Sequence, residues 1–432
     1  MSRLAIARNA RRARGMTLVE LMVALVLGVL VLGGLVQVFV NINETNRVTT
    51  GLARMQENAR YALDRIVSDL QMTGAQYCSS FDNKFPLSGR TSKRAMRIHV
   101  DNSPNGMPFG MPDMTTVQPA GAVGPLNWLM SPRYLMQGHE CPGAGCAPAF
   151  TAPVTAVGLP VPPAAGVAAG TRLQGTDVLT LRYLAAPGVP LFADAPAGGP
   201  YQVYGPAVPG NVNSPPLSFQ PGDYAMVTNC AAAEVFEANA AGNLVTPADS
   251  GDAGATRNLV GAFNRDNDAR MFNFTRDFRT VTYYVVNRDD ADEPGRRIPV
   301  LVRQENGVPQ DIVEGIERFD LRYGVELFDR RIRYMTADQV DAAPIAQCPP
   351  RPDGLAANEP GCLWRAVRTV EVALLANTVD NVTPTPTDTY SYTFAGTVNA
   401  APTEPMPVTN LPRGRMLRRE FRATVALRNG NY

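Results

Sequence analysis

Histidine is almost missing from this chain: His99 and His139 are the only two, and they stand in separate regions. No Gly-x-Ser-x-Gly turn and no phosphate-cradling glycine loop occurs, so the usual arrangements of nucleophile and base find no residues to build them. No two of the six cysteines form a C-x-x-C pair, which with so little histidine argues against zinc. His139 beside Glu140 and Cys141 is the one Cys-His juxtaposition, and it fails if Cys141 is in a disulfide. An excess of one charge is missing too. Forty basic residues face 39 acidic ones, a formal net charge of +1, so the folded part carries no electrostatic footprint for nucleic acid. Nothing repeats at a fixed period. The acidic groups Asp266, Asn267 and Asp268, and Asp289, Asp290, Asp292 and Glu293, lack the Gly and Glu spacing of an EF-hand loop, so they read as solvated turns. From these absences the chain is expected to be no enzyme, with no cofactor and no metal.

What the chain has in plenty is an apolar run near its start. Arg3, Arg8, Arg11, Arg12 and Arg14 precede Gly15 without one acidic residue among them; after Glu20 every residue from Leu21 to Val36 is apolar. As a helix, Met16 to Val40 reaches roughly 37 Å, enough to cross a hydrocarbon core of about 30 Å. The arginines place residues 1–14 in the cytoplasm and everything after Val40 outside it. A basic start and an apolar core also describe a secretory signal or a simple anchor. Gly33-Gly34 is the small-residue site such a signal would use, but the apolar run continues past it to Val40.

Glu20 is the residue that an ordinary anchor does not contain. A charge at the bilayer centre costs about 2.5 to 3.5 kcal/mol on insertion scales, so it requires a partner or a function. Cleavage after Gly15 would give Met16 a cationic α-amine, and the amine of a neighbouring copy is a suitable partner for a carboxylate four residues along.

Beyond the membrane the helix continues. Val48, Leu52, Met55, Ala59, Leu63, Ile66 and Leu70 recur at three and four, with Arg54, Glu57, Arg60, Asp64 and Asp69 on other faces. The spacing predicts one long helix from Met16 to Thr73, with Gly51 and residues 41–50 as places to bend and Gly74 as its breaker. Alternation predicts strands over Met96–Val100, Val178–Tyr183, Tyr224–Val227, Thr280–Val286, Val300–Gln304, Phe319–Val325, Val367–Leu375, Tyr390–Phe394 and Arg419–Leu427. The stretches Pro104–Gly175, Pro187–Pro221, Ala231–Gly261 and Thr378–Pro412, rich in Pro, Gly and Ala, are expected to be surface loops without a core of their own. Gly315 between two extended runs reads as a bulge or as ordinary strand punctuation. Arg415, Arg418, Arg419 and Arg422 read as a solvated strand face.

Six cysteines on an exported chain imply an oxidising compartment. Cys141 and Cys146 close a short loop, and Cys348 and Cys362 flank a Pro-rich one. Cys78, just after the helix, and Cys230, after a strand, are then left to pair; by the chain-entropy model so long a loop is worth roughly 4 to 5 kcal/mol.

The stretch Gly15-Met16-Thr17-Leu18-Val19-Glu20 behind its basic leader resembles the class III signal of type IV prepilins, although Met16 stands where Phe is usual. That resemblance implies cleavage between Gly15 and Met16 by a prepilin peptidase, N-methylation of Met16, and use of Glu20 to dock onto a growing filament. A second resemblance is spread along the chain. Tyr61-Ala62-Leu63-Asp64-Arg65 to Gly74-Ala75-Gln76-Tyr77-Cys78, Gly175-Thr176-Asp177-Val178-Leu179 and Asp223-Tyr224 to Cys230 are similar to the PilW family of minor pilins. So are Ile312-Val313-Glu314-Gly315-Ile316-Glu317 to Tyr323-Gly324-Val325, and Leu417-Arg418-Arg419 to Leu427-Arg428-Asn429. The family implies a low-abundance subunit of a complex that primes pilus assembly and caps the tip. Its partners there are other minor pilins, the major pilin, the inner-membrane assembly platform and a large tip adhesin, with no nucleic acid.

The expected fold is α+β: a leader (1–15), the membrane half (16–40) and the amphipathic half (41–75) of one helix, and a β-rich periplasmic head with long loops (76–432). Before assembly the chain is expected in the inner membrane, single-pass, and afterwards at the pilus tip. Two other readings stay open: a J-like minor pseudopilin of type II secretion, and a membrane-anchored periplasmic binding protein or enzyme.

Overall fold

The computed structural model describes residues 16–75, 97–99, 135–150, 161–185, 187–196, 199–203, 217, 219–220, 223–229, 233–241, 244–247, 263, 268–291, 295–349, 361–383, 391–394, 397–400 and 416–428. Helix α1 (Leu18–Met72) is continuous through Gly51 and the polar residues before it. It starts at Thr17, whose side chain caps it, and stops at Gly74, whose φ of 72° suits only a residue without Cβ and whose N–H reaches Arg182 O at 3.0 Å.

The strands follow as β1 (Arg97–His99), β2 (Met136–His139), β3 (Val178–Leu184), β4 (Val189–Pro190), β5 (Tyr201–Gln202), β6 (Tyr224–Thr228), β7 (Ala233–Ala241), β8 (Leu244–Pro247) and β9 (Arg270–Asn273). After the short helix α2 (Phe274–Asp277) come β10 (Phe278–Asp289), β11 (Arg297–Glu305), β12 (Val308–Glu314), β13 (Ile316–Glu326) and β14 (Ile332–Met335). Helix α3 (Ala337–Asp341) precedes β15 (Val367–Asn377), β16 (Ser391–Phe394), β17 (Thr397–Ala400) and β18 (Arg418–Ala426). All nine stretches expected to be extended contain a strand, several of them alternating polar and apolar residues as half-buried strands do.

Two antiparallel sheets carry the helix. One has the order β12-β11-β10-β3-β2, the other β14-β13-β15-β18, and α1 lies against β3, β12, β15 and β18. From Met55 to Leu70 the helix buries Met55, Ala59, Ala62, Ile66 and Leu70 in one core with Leu181, Tyr283, Leu321, Tyr323, Val372 and Leu374. Full burial of each large aliphatic side chain is worth about 1.5 to 3 kcal/mol, so this stripe fixes the helix to the sheets. Gly315 turns the chain from β12 into β13 at φ 84°; a Cβ there would fall 2.8 Å from Asn377 O, and the register with β15 shifts just beyond it. It is a bulge glycine, required by both its dihedral and its surroundings.

The Pro- and Ala-rich stretches are more than surface loops. Strands β4, β9, β6, β7, β8 and β5 form a further sheet, with β1 parallel to β7. Beneath it Leu191, Tyr201, Leu217, Phe236, Phe263 and Met271 form a second core, Tyr201 stacking on Phe236 at 5.4 Å between ring centres. This corrects the expectation for Pro187–Pro221 and Ala231–Gly261: their isolated apolar residues meet across the sheet although none belongs to a long apolar run. Arg418 is a second correction. Its side chain is buried, Nε donating to the wholly buried Glu317 at 2.8 Å, and so belongs to no solvated face.

Candidate assembly interface

Among the described residues, nothing covers the first half of α1. Every large apolar side chain from Met16 to Val40 is exposed, between 43% at Val40 and 76% at Leu18, and Gly28, Gly33 and Gly34 have open space where a Cβ would be. The helix is long and apolar enough to cross a membrane. Its uncovered glycines each disfavour a helix in water by about 1 kcal/mol relative to alanine, an expense without purpose unless another helix or lipid covers them closely. Contact with the head begins at Gly51, where a Cβ would come within 2.8 Å of Val382.

At the start of this uncovered half, Thr17 and Glu20 form a reciprocal cap. Thr17 Oγ1 accepts from Glu20 N at 3.2 Å, and Glu20 Oε2 accepts from Thr17 N at 3.0 Å and from Thr17 Oγ1 at 3.2 Å. All three bonds leave Glu20 Oε1 open to a further donor. Met16 stands one residue before the cap and is exposed; the leader and Gly15 lie outside the described residues.

The second half is held by a charge that the sequence placed on the wrong face. Asp69 is buried; its Oδ1 accepts from Tyr183 Oη at 2.8 Å, and its Oδ2 from Tyr283 Oη and Arg303 Nε, both at 2.6 Å. Arg303 also donates to Glu305. Burial and the Asp69 charge push both phenols up, so they stay protonated donors. Burial disfavours the guanidinium charge, but the bonds to Asp69 and Glu305 outweigh it and hold Arg303 above its ordinary value. Sequence spacing could have shown that Asp69 adjoins the buried Leu70; its partners, from β3, β10 and β11, were beyond reach of any local pattern.

The remaining expected site residues scatter over the head. Cys141 is bonded to Cys146 and Cys348 to Cys362; Cys78 and Cys230 lie outside the described residues. His139 is buried with Nδ1 2.6 Å from Pro148 O, and burial, the largest influence, lowers its pKa to about 4. The acidic turns are taken up in ion pairs, Asp289 with Arg297, Asp290 with Arg296 at 3.0 Å and Asp268 with Arg270 at 3.4 Å; Asp266, Asn267, Asp292 and Glu293 lie outside the described residues. Among the described residues no group of three or more His, Cys, Asp or Glu side chains is placed to hold a metal.

Comparison with known proteins converges on the same helix and sheets. A family model described as Type IV Pilus-assembly protein W, PilW, matches residues 282–429, from within β10 to just past β18. Another, described as the prokaryotic N-terminal methylation motif, matches residues 10–36, across the end of the leader and the uncovered half of α1. Pilin-like protein PilA3 of Thermus thermophilus is 39% identical over 67 residues, 16% of this chain and 29% of that protein, so the chain spans less than a third of the length of this relative. A type IV-like pilin of known structure, also from Thermus thermophilus, is 16% identical and overlays 48% of this chain and 86% of its own with a TM-score of 0.15. The long helix and the sheets beneath it, not this overlay, define the architecture.

Proposed function

From a PilW domain set behind a prepilin methylation motif, we propose that this protein is a minor pilin, a structural subunit of type IV pilus assembly. Both matches support that role, and the motif with its apolar helix fits a membrane-anchored pilin. The single observation that carries the reading is the division of α1 at Gly51. Beyond it the helix is fixed to the head by an apolar stripe and a buried ion pair; before it, residues 18–40 are apolar, glycine-bearing and exposed. A mere tether needs neither Glu20 nor open glycines.

In this reading a prepilin peptidase cuts between Gly15 and Met16 and Met16 is N-methylated. The head waits in the periplasm while lipid covers residues 16–40. On assembly the helices of other minor pilins and of the major pilin replace the lipid, Ala24, Gly28, Gly33 and Gly34 allow them close approach, and Glu20 Oε1 receives the α-amine of a neighbour. The subunit then joins a priming complex at the inner-membrane platform and ends at the pilus tip.

Intact mass of the membrane-extracted protein, with and without the peptidase, tests this. The expected result is loss of residues 1–15 and gain of one methyl group on Met16 only when the peptidase is present. An intact leader, or cleavage past Gly33, would return the chain to the anchor or signal-peptide reading.

A further inference from the structure

The two sheets that carry α1 have four edge strands, β12, β2, β14 and β18, of which β12 is itself exposed from Val308 to Asp311. Strands β12 and β18 lie against α1, and β2 lies against α3. The fourth, β14, packs chiefly on β13, and its residues Ile332, Arg333 and Tyr334 are exposed. Leu327 N donates to Arg331 O at 2.9 Å, which closes the β13–β14 turn and sets the phase of the ladder. In that phase the backbone N–H and C=O groups of Ile332 and Tyr334 point away from β13, an open template for another strand.

The side chains along this edge sort by face. Ile332, 53% exposed, and Tyr334 stand on the outer face above Gly324, where a Cβ would lie 3.3 Å from each of them. Arg331 and Arg333 alternate with them and so point to the other face. Arg330 and Arg333 have no ion pair among the described residues; Arg331 reaches Asp329 only at 3.6 Å, with its side chain 86% exposed. Arginines on a bare edge keep two copies of that edge apart while drawing in a strand of opposite charge.

The edge is also well placed for a partner. The start of β13 and the end of β15 lie near Thr378 and Val382, which touch Gly51 where the helix leaves the head. The eleven residues of β13 carry the chain about 36 Å from there, so the β13–β14 turn sits at the end of the head remote from the membrane half of α1.

We propose that β14 is a docking edge for an extended acidic segment of another protein, which adds to the sheet as a fifth strand. Its alternate residues would be acidic, facing Arg331 and Arg333, and apolar, facing Ile332 and Tyr334. Backbone bonds to Ile332 and Tyr334 supply the register and the arginines select the charge. This does not rest on the pilus reading.

The test uses the full chain in detergent micelles and a capped peptide alternating glutamate with valine, with lysine-for-glutamate as the control. Fluorescence anisotropy is expected to show salt-sensitive binding of the glutamate peptide alone, weakened about tenfold or more in Arg331→Glu/Arg333→Glu. Hydrogen exchange is expected to slow at the Ile332 and Tyr334 amides. If the charge reversal disturbs folding, as a melt would show, Ile332→Ser/Tyr334→Ser serves in its place with the same expected loss. The proposal is overturned by absence of binding at millimolar peptide, by equal binding of the lysine peptide, by unchanged binding in both variants, or by protection elsewhere in the head. Preference of these arginines for a single-stranded oligonucleotide or anionic vesicles over the peptide would overturn it as well.

Discussion

Asp69 on the helix and Arg303 on β11, 234 residues apart in sequence, meet at 2.6 Å with both side chains at least 95% buried. Removing Asp69 leaves Arg303 with Glu305 alone as its charge partner and strands two phenol hydroxyls. Asp69→Ala is expected to destabilise the head by about 3 to 5 kcal/mol in denaturant unfolding. The double variant Asp69→Leu/Arg303→Met removes both charges and is expected to lose less than Asp69→Ala, with a remainder from the unpaired hydroxyls of Tyr183 and Tyr283. A double variant no more stable than the single one would mean that packing, and not the stranded charge, dominates.

Glu20 has two roles that one substitution separates. Glu20→Gln keeps an acceptor for Thr17 N and so preserves the reciprocal cap, but removes the charge. Both Glu20→Gln and Glu20→Val are expected to remain inserted and processed, with recovery in sheared pili reduced about tenfold or more. Wild-type recovery of Glu20→Gln would assign the residue to capping alone.

At the junction of the two sheets, a Cβ on Gly138 would fall 1.8 Å from Tyr323 Oη, which is itself buried without a hydrogen-bond partner among the described residues. Gly138→Ala is therefore expected to cost about 1 to 3 kcal/mol. Tyr323→Phe, by deleting an unsatisfied hydroxyl, is expected to be neutral or slightly stabilising, and to offset part of the Gly138→Ala loss when the two are combined. Melting temperatures of the four proteins form the cycle that checks this.

Two neighbouring residues give stability opposite slopes with pH. Burial, reinforced by the Asp320 and Asp338 charges, raises the Glu140 carboxyl to about 7. Between about pH 4.5 and 7 the native state keeps a proton that the unfolded chain has lost, so this group's contribution declines as pH rises through that window. His139, lowered to about 4, stays neutral in the native state while the unfolded chain takes up a proton below about 6.5, so its contribution declines as pH falls. Glu140→Gln is expected to flatten the melting-temperature profile on the side of rising pH and leave the acid side unchanged. An unaltered profile would show that Glu140 ionises as an ordinary surface carboxylate.

The long helix, its breaker Gly74 and the β-rich head were legible because they rest on local patterns: apolar spacing of three and four from Leu52 to Leu70, alternation in β3, β10 and β15. Asp69 was misassigned for the same reason. Its position on the helix puts it beside the stripe, and only folding brings Arg303 across to it. Arg418 was misread likewise, since Glu317 lies on β13 and Arg418 on β18, the two joined through β15. The second core was hidden because Leu191, Leu217 and Phe263 belong to no long apolar run, and a strand of two residues leaves no periodicity to find. Strand β14 left no signal either; it has four residues, and three of them are exposed.

Because α1 runs unbroken across Gly51, any pull on its exposed half reaches the head as shear along the helix axis. Apolar side chains such as Ala59 and Ala62 resist being lifted from the sheets but offer little grip against sliding, since one aliphatic contact can be exchanged for the next. A carboxylate held at once by Tyr183, Tyr283 and Arg303 has no equivalent site one turn away. Asp69 is therefore the contact between helix and head that cannot slip by one turn without losing three hydrogen bonds.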